Sequence, residues 1–79
     1  MFPNVIAVET LPDYHLLLTF ENNEKKYFDM NPYLNAPIFQ VLKSISLFKQ
    51  ARIDYGTVVW SDEIDIAPET LYDLSYFLK

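Results

Sequence analysis

His15 is the only histidine in the chain and the first candidate for catalytic chemistry. A neutral imidazole is a suitable general base near neutral pH, and Asp29 on a neighbouring strand could orient it. A zinc site is not predicted, because the chain has neither a second histidine nor a cysteine. The apolar neighbours Leu16 and Leu17 favour a histidine on a sheet surface. A small enzyme that uses His15 and a carboxylate is the less favoured alternative.

Four acidic residues lie close together near the C-terminal end, namely Asp62, Glu63, Asp65 and Glu69. Ca²⁺ and Mg²⁺ prefer carboxylate oxygens, but this run lacks the spacing, central glycine and final glutamate of an EF-hand. We interpret it as a solvated turn and a helix start, while a cation held between Asp62 and Asp65 stays open. One glycine, Gly56, is too few for a phosphate-binding loop. We therefore expect no enzyme, no metal and no cofactor.

The charge is unevenly distributed along the chain. The net charge is −5, and residues 61–79 carry five acids against one lysine. An acidic domain repels the phosphate backbone of nucleic acids, so we do not expect it to bind DNA or RNA. The acidic C-terminal third supports a second hypothesis, an antitoxin-like or regulatory subunit that neutralises a basic partner.

We predict neither a targeting segment nor a membrane-spanning segment from this sequence. Its first residues lack a basic region, and the longest uncharged run, residues 30–42, contains two prolines. That run is shorter than the roughly 20 residues that span a bilayer. The absence of cysteine fits a reducing compartment. We expect a cytoplasmic protein.

Apolar residues are abundant for so short a chain. The 79 residues are 51% hydrophobic and 16% aromatic, with six tyrosines. A domain of this size buries only about 60–65% of the surface of its unfolded chain, so part of this apolar surface stays exposed. Tyrosine and tryptophan are enriched at interfaces. We therefore expect a protein-interaction domain that forms a homodimer or binds a small protein partner.

Three strands are predicted over residues 4–11, 14–21 and 25–30. A loop of three residues, 22–24, pairs Phe20 with Lys26 and Leu18 with Phe28. A two-residue loop would place a lysine and an aspartate on the apolar face, and a one-residue slip exchanges the faces. The predicted register gives one apolar face, formed by Leu16, Leu18, Phe20, Phe28 and Met30. Asn23 is the predicted left-handed residue of the loop.

Two helices and a second hairpin complete the prediction. A middle helix begins after Asn35 or Ala36, at Pro37, and breaks between residues 44 and 46. The second hairpin joins residues 51–54 to 57–60, with Gly56 at its tip. Trp60 is predicted to fill the seam between sheet and helix. The predicted fold class is α+β, one domain over residues 1–79, with a small antiparallel sheet of about five strands packed against the middle and C-terminal helices.

The C-terminal helix is predicted from its cap and its periodicity. Asp65 is the predicted N-cap, and Pro68 and Glu69 lie in the first turn. Leu71, Leu74 and Leu78 recur at helical spacing and form the predicted buried stripe.

A set of residues along the whole chain forms a recognisable pattern. They are Tyr14-His15-Leu16, Phe20 with Asn22, Phe28-Asp29-Met30, Pro32-Tyr33-Leu34, Phe39, Leu42, Phe48, Trp60 and, most specifically, Asp65-Ile66-Ala67-Pro68-Glu69-Thr70-Leu71-Tyr72. In these residues the chain resembles the bacterial DUF2442 family, a domain of unknown function. Asn23 stands where this family commonly has glycine, and Ser61-Asp62-Glu63 replaces a more usual turn after the tryptophan. The resemblance implies a small α+β domain, found alone or ahead of a helix-turn-helix. Stand-alone members often lie beside another short gene, an arrangement similar to toxin–antitoxin pairs. The resemblance implies no activity, cofactor or catalytic residue.

Candidate interaction or motif residues are concentrated after residue 59. They are Trp60, Asp62, Asp65, Pro68, Glu69, Tyr72 and Tyr76.

Overall fold

The computed structural model describes residues 3–61 and 64–77. Six strands are formed: β1 Val5–Leu11, β2 His15–Phe20, β3 Lys25–Asp29, β4 Arg52–Asp54, β5 Thr57–Ser61 and β6 Ile64–Asp65. Two α-helices are formed, α1 Ile45–Phe48 and α2 Pro68–Leu74. Two 3₁₀ segments, Asn31–Tyr33 and Pro37–Lys43, lie between β3 and α1, and a tight turn, Pro12–Tyr14, joins β1 to β2.

The strands form two antiparallel sheets, which confirms the predicted α+β class. The sheet orders are β1-β2-β3 and β4-β5-β6, whereas about five strands in one sheet were predicted. The two sheets meet where the backbone N–H of Val5 donates to the carbonyl oxygen of Gly56 at 3.0 Å. A shift of register in β1 between Val5 and Ala7 accompanies this contact.

The hairpin between β2 and β3 has a different register from the predicted one. Leu18 pairs with Lys26 and Leu16 with Phe28, so the loop is residues 21–23. The turn closes early because the N–H of Asn23 donates to the carbonyl oxygen of Phe20 at 2.8 Å. The predicted pairs are wrong by two residues, but a two-residue shift keeps every side chain on its face. The predicted apolar face is therefore confirmed, as is the left-handed Asn23, with φ 71°.

The second hairpin has a two-residue turn, Tyr55-Gly56. Both residues have positive φ, 54° and 73°, which is typical of a type I′ turn. Glycine is also required for space, since a Cβ at Gly56 would lie 2.7 Å from Oδ1 of Asn4. The predicted role of Gly56 at the tip is confirmed.

The middle helix is mostly a 3₁₀ segment. It begins after Ala36 and ends at Ser44, whose extended backbone separates Pro37–Lys43 from α1. A 3₁₀ helix has three residues per turn, so residues three apart share one side. Phe39 and Leu42 consequently pack into the core, whereas Ile38 and Val41 remain exposed.

The C-terminal helix is shorter than predicted, and two expectations about it are wrong. Asp65 belongs to β6, where it pairs with Val59, and the N-cap is Ala67, without a side-chain hydrogen bond. The helix ends at Leu74, which is 58% exposed, so it does not join Leu71 in a buried stripe. Leu78 lies outside the described residues. The helix stops because the next segment becomes extended and Tyr76 pairs with Tyr27 at the edge of β3.

Buried side chains from both sheets and from the helical segments form one core. Its members are Val5, Leu16, Leu18, Phe20, Phe28, Met30, Leu34, Leu42, Phe48, Val58, Trp60, Ile66 and Leu71. Over residues 3–61 and 64–77, no helix has the length and apolar character needed to cross a membrane.

Candidate functional site

Three aliphatic side chains are exposed in residues 37–48, the 3₁₀ segment and α1, which we call the middle segment. Ile38 is 52% exposed, Val41 is 49% exposed and Ile45 is 57% exposed. We call these three residues the aliphatic surface. Ile38 and Val41 are exposed because the 3₁₀ period of three directs Phe39 and Leu42 into the core instead. Ile38 and Val41 lie three residues apart and so share one side of the 3₁₀ segment, and exposed apolar side chains that share a side are typical of a binding surface.

A pocket of about 410 Å³ is lined in part by Ile45, one of the three residues of the aliphatic surface. Residues 10–14, at the end of β1 and in the following turn, form one wall. Ile45, Phe48 and Lys49 form the other wall. Its volume is within the range of ligand-binding pockets, about 300–1,000 Å³.

The turn on one side of the pocket has an unusual backbone. Asp13 and Tyr14 both have positive φ, 62° and 58°. A strained backbone of this kind costs on the order of 1–3 kcal/mol per residue and persists only where its surroundings fix it. The Tyr14 hydroxyl donates to the carbonyl oxygen of Lys43, and the Tyr14 ring packs edge-on against Phe48 at 5.2 Å. The turn is thereby attached to the middle segment that forms the opposite wall.

The turn is also fixed from the side of β3. The carbonyl oxygen of Asp13 accepts a hydrogen bond from the side-chain amide of Asn31 at 2.8 Å. The carbonyl oxygen of Tyr14 accepts one from the backbone N–H of Met30 at 3.0 Å. These bonds hold the wall of the pocket in a defined shape before any ligand binds.

Trp60 contacts Phe48, one of the residues that line the pocket. Its indole Nε1 donates to the carbonyl oxygen of Phe48 at 3.0 Å, and the two rings stack with centroids 6.2 Å apart. Phe39 packs edge-on against the same indole. Trp60 is buried, so it acts on this site by positioning Phe48.

The charge around the site differs from that of the whole chain. Between Asp29 and Asp54 the sequence contains no Asp or Glu, although the net charge of the protein is −5. The same stretch contains Lys43, Lys49 and Arg52. Lys43 and Lys49 are exposed, and Lys49 lies on the pocket wall. Asp13, on the opposite wall, is an exposed acid of the pocket.

His15 lies opposite Asp29 on the neighbouring strand, as the proposed catalytic pair would require. The distance between His15 Nε2 and Asp29 Oδ1 is 3.8 Å, and His15 Nδ1 is 2.9 Å from the carbonyl oxygen of Asp13. Partial burial raises the pKa of Asp29. Hydrogen bonds from the backbone and side chain of Asn31, together with the electrostatic effect of His15, lower the pKa by more than burial raises it. The pKa of Asp29 is therefore below its ordinary value. Both ring nitrogens of His15 thus face groups of the turn and the sheet.

A second polar cluster joins α2 to the β2–β3 hairpin. Lys26 is only 8% exposed, and its ammonium donates to the carbonyl oxygen of Tyr72 at 2.7 Å. The ammonium lies 4.2 Å from the centroid of the Tyr72 ring and 5.2 Å from that of Phe77. The Tyr72 carbonyl lies in the last turn of α2, where the helix dipole favours a cation.

The Tyr72 hydroxyl completes this cluster. It donates to Oε1 of Glu24 at 2.7 Å, and the side-chain amide of Asn22 donates to the same oxygen at 2.5 Å. The bond from Tyr72, followed by that from Asn22, lowers the pKa of Glu24. The same bond to Glu24 raises the pKa of Tyr72. The cluster fastens α2 to the hairpin, which is a structural role.

The structure distributes the candidate residues of the C-terminal region over several environments. Asp65 and Glu69 are exposed, and Pro68 is the first residue of α2. Tyr72 is half-buried against Phe20, while Tyr76 is exposed and stacks on Tyr27. Asp62 lies outside the described residues, and so does most of the acidic turn. In the described part of the chain, no group of three His, Asp or Glu side chains could hold a metal ion.

Sequence reasoning missed the pocket and the residues around it. The sequence predicted a middle helix but not the exposure of Ile38, Val41 and Ile45, because helical spacing does not distinguish an α-helix from a 3₁₀ helix over so short a segment. One signal was available in the sequence, namely the absence of acids around Lys43 and Lys49 in an acidic chain.

The comparison with family models gives one result. The model described as a protein of unknown function, DUF2442, matches residues 5–77, which is nearly the whole chain. Neither a curated protein nor a solved structure matches the chain.

Proposed function

The chain belongs to the DUF2442 family, and from that premise we propose that it is a cytoplasmic, non-enzymatic protein-interaction domain. Its partner binds over the aliphatic surface and the adjoining pocket. The observation that carries this proposal is the exposure of Ile38, Val41 and Ile45 beside a pocket of about 410 Å³. Interfaces have an apolar centre in which a few well-packed side chains supply most of the binding energy.

The support around the pocket favours a binding role. The Tyr14 turn, the Phe48 ring and the Trp60 indole are fixed by hydrogen bonds and ring contacts. A preformed surface binds at a lower entropic cost than a surface that must order on binding. The contacts of His15 to Asp13 and Asp29 support a structural histidine.

A second candidate function uses the acidic residues of the C-terminal region. Three acidic residues of the C-terminal region are exposed, namely Asp65, Glu69 and Asp73. Their exposure supports an antitoxin-like or regulatory subunit whose basic partner is the product of a neighbouring gene. Electrostatic attraction would then fall as salt screens it. The two candidates place the partner on different residues, so one experiment distinguishes them.

Photo-cross-linking inside cells tests the proposal. A photoreactive phenylalanine replaces Ile45 in one variant, Glu69 in a second and the exposed Asn22, as the control, in a third. We expect a discrete adduct from position 45 that the control lacks. Adding Val41→Glu to the position-45 variant should strongly reduce that adduct, with an unchanged circular dichroism spectrum.

Either of two results would contradict the proposal. One is a yield at position 45 no higher than at position 22. The other is a discrete adduct from position 69 alone, which would favour the acidic candidate. An adduct between two copies from position 45 would identify the partner as a second copy, and native mass spectrometry would then give a dimer mass.

A further inference from the structure

We infer that the partner presents an acidic amphipathic helix to this surface, an inference that rests on the proposed function. The apolar side of that helix covers Ile38, Val41 and Ile45. One bulky apolar side chain enters the adjoining pocket. Its carboxylates face Lys43 and Lys49.

The positive charge of Lys43 and Lys49 indicates a negatively charged partner. The stretch between Asp29 and Asp54 has three bases and no acid, and Asp13 is the one acid among the residues that line the pocket. Lys43 and Lys49 are exposed and flank Ile45 in the sequence, with Lys49 on the pocket wall. Interfaces bring opposite potentials together, because unlike charges speed encounter and like charges oppose it. A basic helix would place its cations against these two lysines.

The backbone of the surface gives the secondary structure of the partner. The exposed aliphatic residues lie on helical turns, whose N–H and C=O groups are used in local bonds such as Lys49 to Ile45 and Ser44 to Val41. An added strand needs a free sheet edge, which these turns do not provide. A helix needs only side-chain contacts, since its own backbone bonds are internal.

The pocket gives the anchor residue. Phe48 lines this pocket, and Trp60 and Tyr14 both contact Phe48 and hold it in place. The pocket volume of about 410 Å³ accommodates a leucine or an aromatic side chain. In helix-in-groove recognition, such a side chain enters a pocket and its neighbours at helical spacing cover the adjacent apolar surface.

A second copy of this chain fits the surface less well. If the middle segments of two copies faced each other, Lys43 and Lys49 of one copy would lie against Lys43 and Lys49 of the other, and these like charges would repel. The acidic helix α2 is only seven residues long, buries Leu71 and is fastened through Lys26 and Tyr72. A copy would therefore have to release α2 before that helix could dock.

A displayed library of helical peptides of about four turns tests the inference. Positions on one face vary among leucine, isoleucine, phenylalanine and alanine, and the other positions vary among glutamate, lysine and glutamine. We expect the purified protein to enrich acidic peptides with apolar residues at helical spacing. A selected peptide should bind the Lys43→Glu/Lys49→Glu variant at least about tenfold more weakly, and should lose affinity as salt rises.

Two control variants keep the result specific. Lys25→Glu reverses an exposed lysine on the β2–β3 hairpin and should leave the affinity within about twofold. Ile45→Gln should abolish enrichment while circular dichroism shows the same fold. The double glutamate variant should itself enrich basic peptides.

Neutral or basic peptides enriched by the unmodified protein would overturn the inference, and so would no enrichment. A dimer by native mass spectrometry that cross-links through position 45 would also overturn it, in favour of self-association. These failures leave the proposed function standing if position 45 still gives its adduct in cells. Loss of that adduct defeats the proposed function itself.

Discussion

The indole Nε1 of Trp60 donates a hydrogen bond to the carbonyl oxygen of Phe48 at 3.0 Å. Trp60 belongs to β5 in the second sheet, and Phe48 is the last residue of α1 and lines the pocket. This single bond therefore connects the second sheet to the proposed binding surface. Trp60 influences binding through the position of Phe48, without contact with a partner.

Trp60→Phe should destabilise the protein by about 1–3 kcal/mol, because it removes this hydrogen bond and leaves a gap beside Phe48. Urea unfolding followed by circular dichroism measures the effect. An unchanged midpoint with an unchanged slope would show that the bond contributes nothing to stability.

Leu71→Ala and Leu74→Ala should differ sharply, although sequence periodicity places both residues on one stripe. Leu71 is 0% exposed, so its truncation should cost about 2–5 kcal/mol. Leu74 is more than half exposed, so its truncation should change stability by at most about 0.5 kcal/mol. Thermal melts of the two variants give the comparison, and similar losses from both would mean that α2 packs differently.

Asp65→Ala should change the free energy of unfolding by at most about 0.5 kcal/mol. A helix cap at this position would cost about 0.5–2 kcal/mol on removal, but Asp65 lies in β6 and is exposed. Urea titration distinguishes the two cases. A decrease of more than about 1 kcal/mol in the free energy of unfolding would instead support Asp65 as a helix cap.

Tyr55→Asn should raise the stability by about 0.5–1 kcal/mol. Tyr55 is 90% exposed, so it has little packing to lose, and its positive φ in a type I′ turn suits asparagine before glycine. Tyr55→Val is the control, since a β-branched residue tolerates positive φ poorly and should lower the melting temperature. A melting temperature of Tyr55→Asn below that of the unmodified protein would contradict the prediction.

The bond between Tyr72 and Glu24 should make stability depend on pH at both extremes. The pKa of Glu24 is lowered in the folded protein by the bond from Tyr72, so this contribution is present above pH 4.5 and is lost as the pH falls through the lowered pKa. The pKa of Tyr72 is raised by Glu24, so the contribution is present below pH 10.0 and is lost as the pH rises through the raised pKa.

Unfolding of the unmodified protein and of Tyr72→Phe over a pH series measures this dependence. The difference in the free energy of unfolding should be largest near neutral pH and should shrink on both sides. Tyr76→Phe, which alters an exposed tyrosine, is the control. A difference that stays constant with pH would mean that the Tyr72–Glu24 bond does not contribute in solution.

The sequence by itself determined the α+β class, the apolar faces of β2 and β3, and the turns at Asn23 and Gly56. These features follow from local physics, since side chains alternate along a strand and few residues accept positive φ. Alternation cannot fix the register of the hairpin, because a shift of two residues leaves each face unchanged. The hydrogen bonds of Phe20 in the turn decided it.

Only the tertiary structure decided which residues of the helical segments face solvent and where the pocket lies. Leu74 is exposed because Tyr76 pairs with Tyr27 and ends α2 early. The pocket joins residues 10–14 to Ile45, Phe48 and Lys49, which are distant in sequence. Such a site depends on how separate elements pack, and local patterns of hydrophobicity carry no information about that packing.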